Sequence, residues 1–320
     1  MSKKNKKRKR TAGDFIRGVI LIVALAVFLF SGYQLYLIYS EYKEGTDDYD
    51  RIRDSVFRVE TKAWTQENEE ADGQTPAEDQ NQGQDNQGSA GDQNQGQDNQ
   101  GSAAVSAGDG GMRVISKEGP LTINGISLGM LLGSQYQCDF DALNAMNSEV
   151  VGWIRIEDTN INYPMVQTTD NEKYLRLTLD GKWNNAGTIF VDYRVADPFI
   201  SENTIIHGHN QRNKAMFHDL TLYLDQEFWE SHPYVTVLTP EKNYLYQIYS
   251  CYQSPNVSKT YNCEFSSPEQ YQQYLDYTVS QSLYDTGISV SSSDRIVTLS
   301  TCNNDWDDTR MVVHAKLITG

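Results

Sequence analysis

The sequence has few cysteines for its length, and this limits the classes of fold and of metal site. Four cysteines stand among 320 residues, and no two of them form a C-x-x-C pair. Secreted disulfide scaffolds are far denser in cysteine, and structural zinc sites commonly use that close spacing. The sequence therefore argues against both classes. A disulfide between Cys251 and Cys263, which flank a predicted loop, stays open.

Positive charge is also scarce beyond the N-terminal region. The chain has a formal net charge of −16, and the segment 66–111 contains Asp and Glu but no Lys or Arg. Phosphate backbones are bound by clustered Lys and Arg side chains. The charge distribution therefore argues against nucleic acid as a partner.

One long uncharged run is present, from residue 18 to residue 40. A helix needs about 20 apolar residues to cross a bilayer. Seven of the first ten residues are basic, and tyrosines follow the apolar core of the run at Tyr33, Tyr36 and Tyr39. No A-x-A pattern follows, which favours an anchor over the alternative of a cleaved signal peptide. We expect a basic cytoplasmic head at 1–14 and a transmembrane signal-anchor at 15–40, with the rest of the chain extracellular.

The composition divides the outer part of the chain into three segments. Residues 41–65 space Ile52, Val56 and Val59 along one face of a predicted helical segment. Residues 66–111 are acidic and of low complexity, and DQNQGQDNQGSA occurs at 79–90 and again at 92–103, a 13-residue repeat. Such a segment buries too little to order itself, so we predict a disordered linker that extends the reach of the next domain. Residues 112–320 are predicted to form a separate globular domain.

This last segment has the pattern of a mostly-β fold. Short runs rich in Val, Ile, Tyr and Thr are bounded by turn residues, which is typical of a barrel or sandwich. Strands are predicted at 151–156, 187–191, 203–206, 234–238, 244–252, 295–300 and 311–318. Peripheral helices are predicted at 139–146, 216–224 and 268–283, the last with Ser267 as its N-cap and Pro268 at its first position.

Cys302 is the cysteine best placed for chemistry. It ends the apolar run 296–301, and a polar loop separates it from a second strand that begins at Arg310. Spacing predicts that Cys302 and Arg310 face each other across a hairpin, where a cation favours the thiolate and could stabilise an oxyanion. The plainer interpretation of a lone cysteine is a small buried hydrophobe, and we adopt it for Cys138.

A cysteine nucleophile needs an acid–base partner, and two histidines qualify. His207 and His209 both lie at the end of the predicted strand 203–206, in the motif His-Gly-His, and spacing does not separate them. An H-x-H pair could also suggest a metal site, but no third ligand is evident nearby. The remaining histidines are interpreted as structural.

Several motifs together resemble the sortase family, and class B sortases most closely. Leu-Ser-Thr-Cys at 299–302, Thr-Arg-Met-Val-Val at 309–313 and Ile-Ile-His-Gly-His-Asn at 205–210 are similar to its cysteine, arginine and histidine motifs. The resemblance runs over roughly residues 135–320. Further similar stretches are 139–143, 150–154, 161–167, 170–175 and 187–193.

The resemblance implies an eight-stranded sortase β-barrel with peripheral helices, preceded by one transmembrane helix. It implies Cys302 as nucleophile, His209 rather than His207 as the acid, and Arg310 as the oxyanion or backbone ligand. Asn171, Leu175, Ser300 and Thr301 are expected to line the sorting-signal groove. No cofactor and no metal are expected. The implied partners are sorting-signal peptides of secreted proteins and a peptidoglycan precursor or cross-bridge amine.

Alternative functions remain open at this point. A pilin-polymerising sortase would use a lysine of another subunit as acceptor, and a hydrolytic cysteine protease would use water. A non-enzymatic surface-binding module would leave Cys302 merely structural. The exact sorting motif is not encoded in any pattern that the sequence exposes.

Overall fold

The computed structural model describes residues 12–59, three two-residue strands between 114 and 127, residues 136–302 and residues 309–319. The predicted linker 66–111 lies outside the described residues. The strands are β1 (Phe57–Val59), β2 (Val114–Ile115), β3 (Thr122–Ile123), β4 (Ile126–Ser127), β5 (Tyr136–Cys138), β6 (Val150–Arg155), β7 (Asn162–Gln167), β8 (Ile189–Val191), β9 (Asn203–Gly208), β10 (Tyr234–Leu238), β11 (Asn243–Pro255), β12 (Ile296–Cys302) and β13 (Thr309–Thr319). The α-helices are α1 (Ala12–Val56), α2 (Phe140–Met146), α3 (Gln226–Ser231) and α4 (Pro268–Gln281), and short 3-10 helices cover Lys173–Leu175, His218–Leu224 and Lys259–Tyr261.

Eight strands close into a barrel, as the family resemblance implies. The order around the barrel is β10-β11-β13-β12-β9-β8-β7-β6, and β6 pairs with β10 to close it. Two neighbouring pairs are parallel, β7 with β8 and β9 with β12, and the others are antiparallel. Apolar side chains such as Trp153, Ile205 and Val313 are fully buried in its main core. The mostly-β prediction is confirmed in the form of a closed barrel.

The helix α4 covers one outer side of the barrel. Its tyrosines Tyr271 and Tyr274 and its Leu275 pack with Tyr249 of β11 and Ile296 of β12 in a second apolar cluster. The Ser267 hydroxyl accepts a hydrogen bond from the Gln270 backbone N–H at 3.3 Å, and Pro268 occupies the first turn. This is the N-terminal signature from which the helix was predicted.

The helix α1 is longer than the sequence suggested. It runs without a break through the uncharged segment and the predicted helical segment after residue 41, to Val56. Among the described residues it is the one helix long and apolar enough to cross a membrane, and its most apolar window is entirely unburied. Its outer part contacts the barrel instead, because Tyr49 and Val56 are buried in the main core.

A pairing of β1 with β5 changes the interpretation of the linker. Phe57 lies opposite Cys138, and Val59 lies opposite Tyr136. The two strands that flank the connection 60–135 therefore lie side by side on the folded domain. We expected this part of the chain to separate the anchor from the catalytic domain and to lengthen its reach. The burial of Tyr49 and Val56 in the main core gives the anchor segment a direct connection to the barrel, and the reach supplied by the linker stays a prediction.

Candidate active site

The barrel register brings Cys302, Arg310 and the histidine motif to one end of the fold. In the β12–β13 hairpin, Cys302 lies directly opposite Arg310. On its other side β12 runs parallel to β9, with Thr301 opposite Gly208. Since neighbouring strands are about 4.8 Å apart, the residues that end β9 and β12 emerge together. The hairpin pairing was predicted from spacing, whereas the parallel pairing was not.

His209 follows β9 directly and is held by the 3-10 helix before β8. Its Nε2 lies 2.8 Å from the carbonyl oxygen of Leu175. A carbonyl only accepts, so Nε2 carries the hydrogen and Nδ1 is the basic nitrogen of the neutral ring. Burial lowers the pKa of His209, the Leu175 carbonyl opposes that shift, and the positive charges of Arg176 and Arg310 add to it.

His207 has a different partner. Its Nε2 lies 3.1 Å from Oδ2 of Asp192, a carboxylate that is fully buried. Arg194 donates to both oxygens of the same carboxylate, at 2.9 and 2.7 Å. Burial would raise the pKa of Asp192, but these hydrogen bonds outweigh it and hold that pKa well below its usual range. In the histidine motif, the ring of His209 thus binds a backbone carbonyl and the ring of His207 binds a buried ion cluster.

An open groove of about 380 Å³ lies beside these residues. Its lining includes Arg310 and two of the predicted substrate-binding residues, Asn171 and Leu175. The full lining is Asn171, Leu175, Phe190, Asp192, Arg194, His207, Asn256, Val257, Ser258, Tyr261, Asn262 and Arg310. Arg310 is half-buried, and its positive charge lowers the pKa of both His207 and His209.

The other two predicted groove residues lie behind the lining. Ser300 and Thr301 are fully buried and are not part of it. Ser300 lies 3.0 Å from the hydroxyl of Tyr261, which does face the groove. Ser300 is thus one contact removed from the groove. Cys302 is the last residue of β12.

Several groove residues were not predicted from the sequence. Asp192 and Arg194 form the ion cluster, and the turn 256–258 with Tyr261 forms the opposite part of the lining. Asp192 belongs to one of the motifs that carried the resemblance, so its position offered a signal. The turn after β11 carries no comparable pattern, because its role depends on where the long strand β11 ends.

The remaining cysteines have structural surroundings. Cys251 and Cys263 are both free and buried, so the open possibility of a disulfide between them is not realised. Burial raises the pKa of Cys251 to about 12 and that of half-buried Cys138 to about 12. Among the described residues, no three His, Cys, Asp or Glu side chains cluster as metal ligands.

Comparison with known proteins decides the family. A family model described as the sortase domain matches residues 154–318, from β6 to β13. The chain belongs to the sortase family. The sortase B of Listeria monocytogenes is 38% identical over 179 residues, which are 55% of this chain and 73% of that relative. The sortase B of Staphylococcus aureus is 35% identical over 181 residues, 56% of this chain and 74% of that relative.

A solved structure agrees with the sequence comparison. The Staphylococcus aureus sortase B–substrate complex superposes with a TM-score of 0.53 at 34% identity, over 56% of this chain and 84% of that one. The predicted resemblance to class B sortases and the sortase barrel are confirmed. The chain is a sortase transpeptidase, a cysteine enzyme of cell-wall surface anchoring.

Proposed function

We propose that this sortase joins secreted proteins to a cell-wall peptide amine through a thioester on Cys302. The observation that carries the proposal is the register of β9, β12 and β13, which places Cys302 opposite Arg310 and beside the strand that leads to His209. Arg310 and Leu175, the partner of His209, both line the groove. The groove is therefore the expected site of the sorting-signal peptide.

In the first step, the thiolate of Cys302 attacks the threonine carbonyl of the sorting motif. The carbon–sulfur bond forms, the amide carbon–nitrogen bond breaks, and His209 gives a proton to the leaving amine. Arg310 donates hydrogen bonds to the carbonyl oxygen as its negative charge develops. Burial lowers the pKa of His209, so a neighbouring thiolate is needed to favour its cationic form.

In the second step, an amine of a cell-wall peptide attacks the thioester. His209 takes the proton of the attacking amine, the carbon–sulfur bond breaks, and Cys302 is restored. Two acyl transfers replace one difficult amide exchange, which is the general advantage of covalent catalysis. The substrate-bound sortase B of Staphylococcus aureus supports the peptide half of this scheme.

We also propose that α1 anchors the enzyme in the cell membrane. The basic head would stay in the cytoplasm and the barrel would face the cell wall, in keeping with the excess of positive charge on the cytoplasmic side of such anchors. Digestion of intact protoplasts with protease should then remove the barrel and spare the N-terminal segment. Protection of the barrel would reverse the proposed orientation.

The mechanism is tested with the fragment 41–320 and sorting-signal peptides, with and without an amine acceptor. This fragment keeps Tyr49 and Val56, which are part of the barrel core. Cys302→Ala should abolish turnover, His209→Ala should lower kcat/KM by about 10²–10⁴-fold, and Arg310→Ala by about 10²–10³-fold. Cys138→Ala is the matched control, since Cys138 is half-buried away from the groove.

The reaction products distinguish cell-wall transfer, pilin polymerisation and hydrolysis. Joining of the peptide to a cross-bridge amine supports cell-wall transfer, and joining only to the side chain of a pilin lysine supports pilin polymerisation. Release with water alone, unchanged by any amine, supports a hydrolase. Full activity of Cys302→Ala would contradict the mechanism, and a loss in His207→Ala with none in His209→Ala would transfer the acid role to His207.

A further inference from the structure

Two boundaries in α1 coincide. From residue 15 to residue 40 every described side chain of the helix is exposed, and from Glu41 onward the barrel begins to cover it. The uncharged run also ends at residue 40. Its 23 residues make a helix about 35 Å long, which spans the hydrocarbon of a bilayer. The structure therefore leaves no spacer between the proposed span and the folded domain.

Two loops of the barrel contact α1 at this boundary. Asn184 Nδ2 donates to the Glu41 carbonyl at 3.2 Å, and the Asn185 backbone N–H donates to the Glu41 carboxylate at 2.9 Å. Asn213 Nδ2 donates to the Tyr42 carbonyl at 3.3 Å and to the Thr46 hydroxyl at 2.9 Å. The loops 182–185 and 212–214 therefore lie at the level of the first residues beyond the span.

The close fit at Gly45 holds the first of these loops to the helix. A Cβ at this position would stand 2.8 Å from Asn184 Oδ1 and 3.2 Å from the Ala186 side chain. Tyr49, about 12 Å beyond Glu41 along the helix, is buried against the domain and donates to the Gly187 carbonyl at 2.6 Å. The junction is thus packed over more than two helical turns, and the domain cannot tilt freely about it.

The exposed side chains of these loops suit a lipid headgroup layer. Trp183 is 64% exposed, next to the residue that binds the Glu41 carbonyl. Arg212 and Lys214 are exposed, and within the described part of the chain neither forms an ion pair. Indole rings favour the membrane interface, and cations favour anionic headgroups. Two exposed acids of α1, Glu44 and Asp47, lie near this level and oppose them.

We propose that the face formed by Trp183, Arg212 and Lys214 rests on the headgroup layer of the membrane that α1 crosses. The proposal rests on the proposed anchoring by α1. It also places the groove near the membrane surface, because groove residue Leu175 is followed by Arg176, whose side chain bonds Asn185. Asn185 in turn binds Glu41 at the start of the docked helix.

The test uses the full chain in lipid nanodiscs that contain phosphatidylglycerol and lipids brominated near the headgroup. Retention of the protein in the discs is measured first, and tryptophan quenching second. Trp183→Phe should remove most of the bromine-dependent quenching. Trp229→Phe is the matched control, because the Trp229 indole is half-buried and donates to the Ile248 carbonyl at 2.9 Å. It should leave the quenching unchanged.

Charge reversal tests the cationic half of the face. The double variant Arg212→Glu, Lys214→Glu should reduce the quenching of Trp183, and raised salt should act in the same direction on the wild type. Lys242→Glu is its control, since Lys242 is exposed in the turn between β10 and β11, over the ring of Tyr244.

The membrane anchor and the headgroup contact are refuted by different results. Chains that are not retained in discs would overturn the anchor, and the headgroup contact with it. Chains that are retained, but whose quenching is equal in wild type and Trp183→Phe, would overturn the headgroup contact alone and leave the anchor standing.

Discussion

His207 and His209, two residues apart in the sequence, have different hydrogen-bond partners and different charged neighbours. The Nε2 of His209 is bound to a carbonyl, while the Nε2 of His207 is bound to the Asp192 carboxylate. Arg176 and Arg310 act on His209, and Arg194 and Arg310 act on His207. A nearby cation disfavours the cationic form of a histidine ring. The pKa of His209 can therefore be changed by replacing Arg176, and that of His207 by replacing Arg194.

Arg176→Gln should shift the pH dependence of the enzyme through His209. The positive charge of Arg176 lowers the pKa of His209, so its removal raises that pKa. An acid must be protonated, and a raised pKa keeps His209 protonated to higher pH. We therefore expect the alkaline limb of the kcat/KM profile of the fragment 41–320 to move to higher pH.

The matched control is Arg212→Gln, which removes an exposed arginine that does not act on His209. Its profile should follow that of the wild type. A shift of the alkaline limb to lower pH in Arg176→Gln would have the wrong sign for an acid role of His209. Equal shifts in both variants would indicate an effect of net charge.

At the scale of elements, the outer half of α1 belongs to the barrel. Tyr49 packs edge-on against Tyr163 of β7, with ring centroids 5.5 Å apart. Its hydroxyl donates to the Gly187 carbonyl at 2.6 Å and lies 2.9 Å from the Thr188 hydroxyl. Gly187 is itself constrained, because its φ is +59° and a Cβ would stand 2.4 Å from the Tyr174 carbonyl. The helix therefore packs against a turn whose conformation requires glycine at position 187.

Tyr49→Phe should lower the free energy of unfolding of the fragment 41–320 by about 1–3 kcal/mol. The substitution leaves a buried carbonyl without its donor, and the cost of an unsatisfied buried polar group has this size. Urea denaturation measures the change. Tyr42→Phe is the control, since the contact made by Tyr42 to Asn213 uses its backbone carbonyl. An equal loss in both variants would contradict the role given to the Tyr49 hydroxyl.

Local patterns predicted most strands but not how they pair. The run 234–238 matches β10, and Ser267 and Pro268 located α4. The strand β7 was missed as a strand, because Pro164 within it argues against a ladder position. The continuity of α1 was missed because the change from apolar to charged residues after Ser40 resembles the end of a helix. The hydrophobic pattern of a helix indicates which environment surrounds each part of it, but does not indicate the residue at which the helix ends.

In the candidate site too, the contact between residues close in sequence was predicted, and the contact between distant residues was not. The pairing of Cys302 with Arg310 follows from a short hairpin, whose partners are close in sequence. The neighbourhood of His209 depends on the parallel pairing of β9 with β12, whose paired residues are more than 90 positions apart. No local pattern contains such a contact, and the family resemblance supplied only the choice of His209 as the acid. The burial of Ser300 behind Tyr261 also depends on this packing.

At the scale of the whole molecule, the pairing of β1 with β5 argues against the low-complexity segment as the tether between membrane and barrel. The strands β1 and β5, which flank the connection that contains this segment, are paired, and the Asp139 backbone N–H donates to the Val56 carbonyl at 2.8 Å. The distance between membrane and groove is set by α1 and its contacts. Changes of chain length should therefore matter at the Ser40–Glu41 junction and not within 66–111.

Deletion of 66–111 should leave the anchoring of surface proteins in cells unchanged. It removes 46 residues, more than half of the connection between β1 and β5, and shortening the loop lowers its closure cost by about 0.8 kcal/mol. The domain should thus be equally stable or slightly more stable. Insertion of the repeat 79–90 between Ser40 and Glu41 is the matched comparison, because it interrupts α1 and lifts the barrel from the bilayer. We expect that insertion to reduce the amount of surface protein recovered in the cell-wall fraction. If the deletion reduced anchoring and the insertion restored it, reach would be set by the low-complexity segment after all.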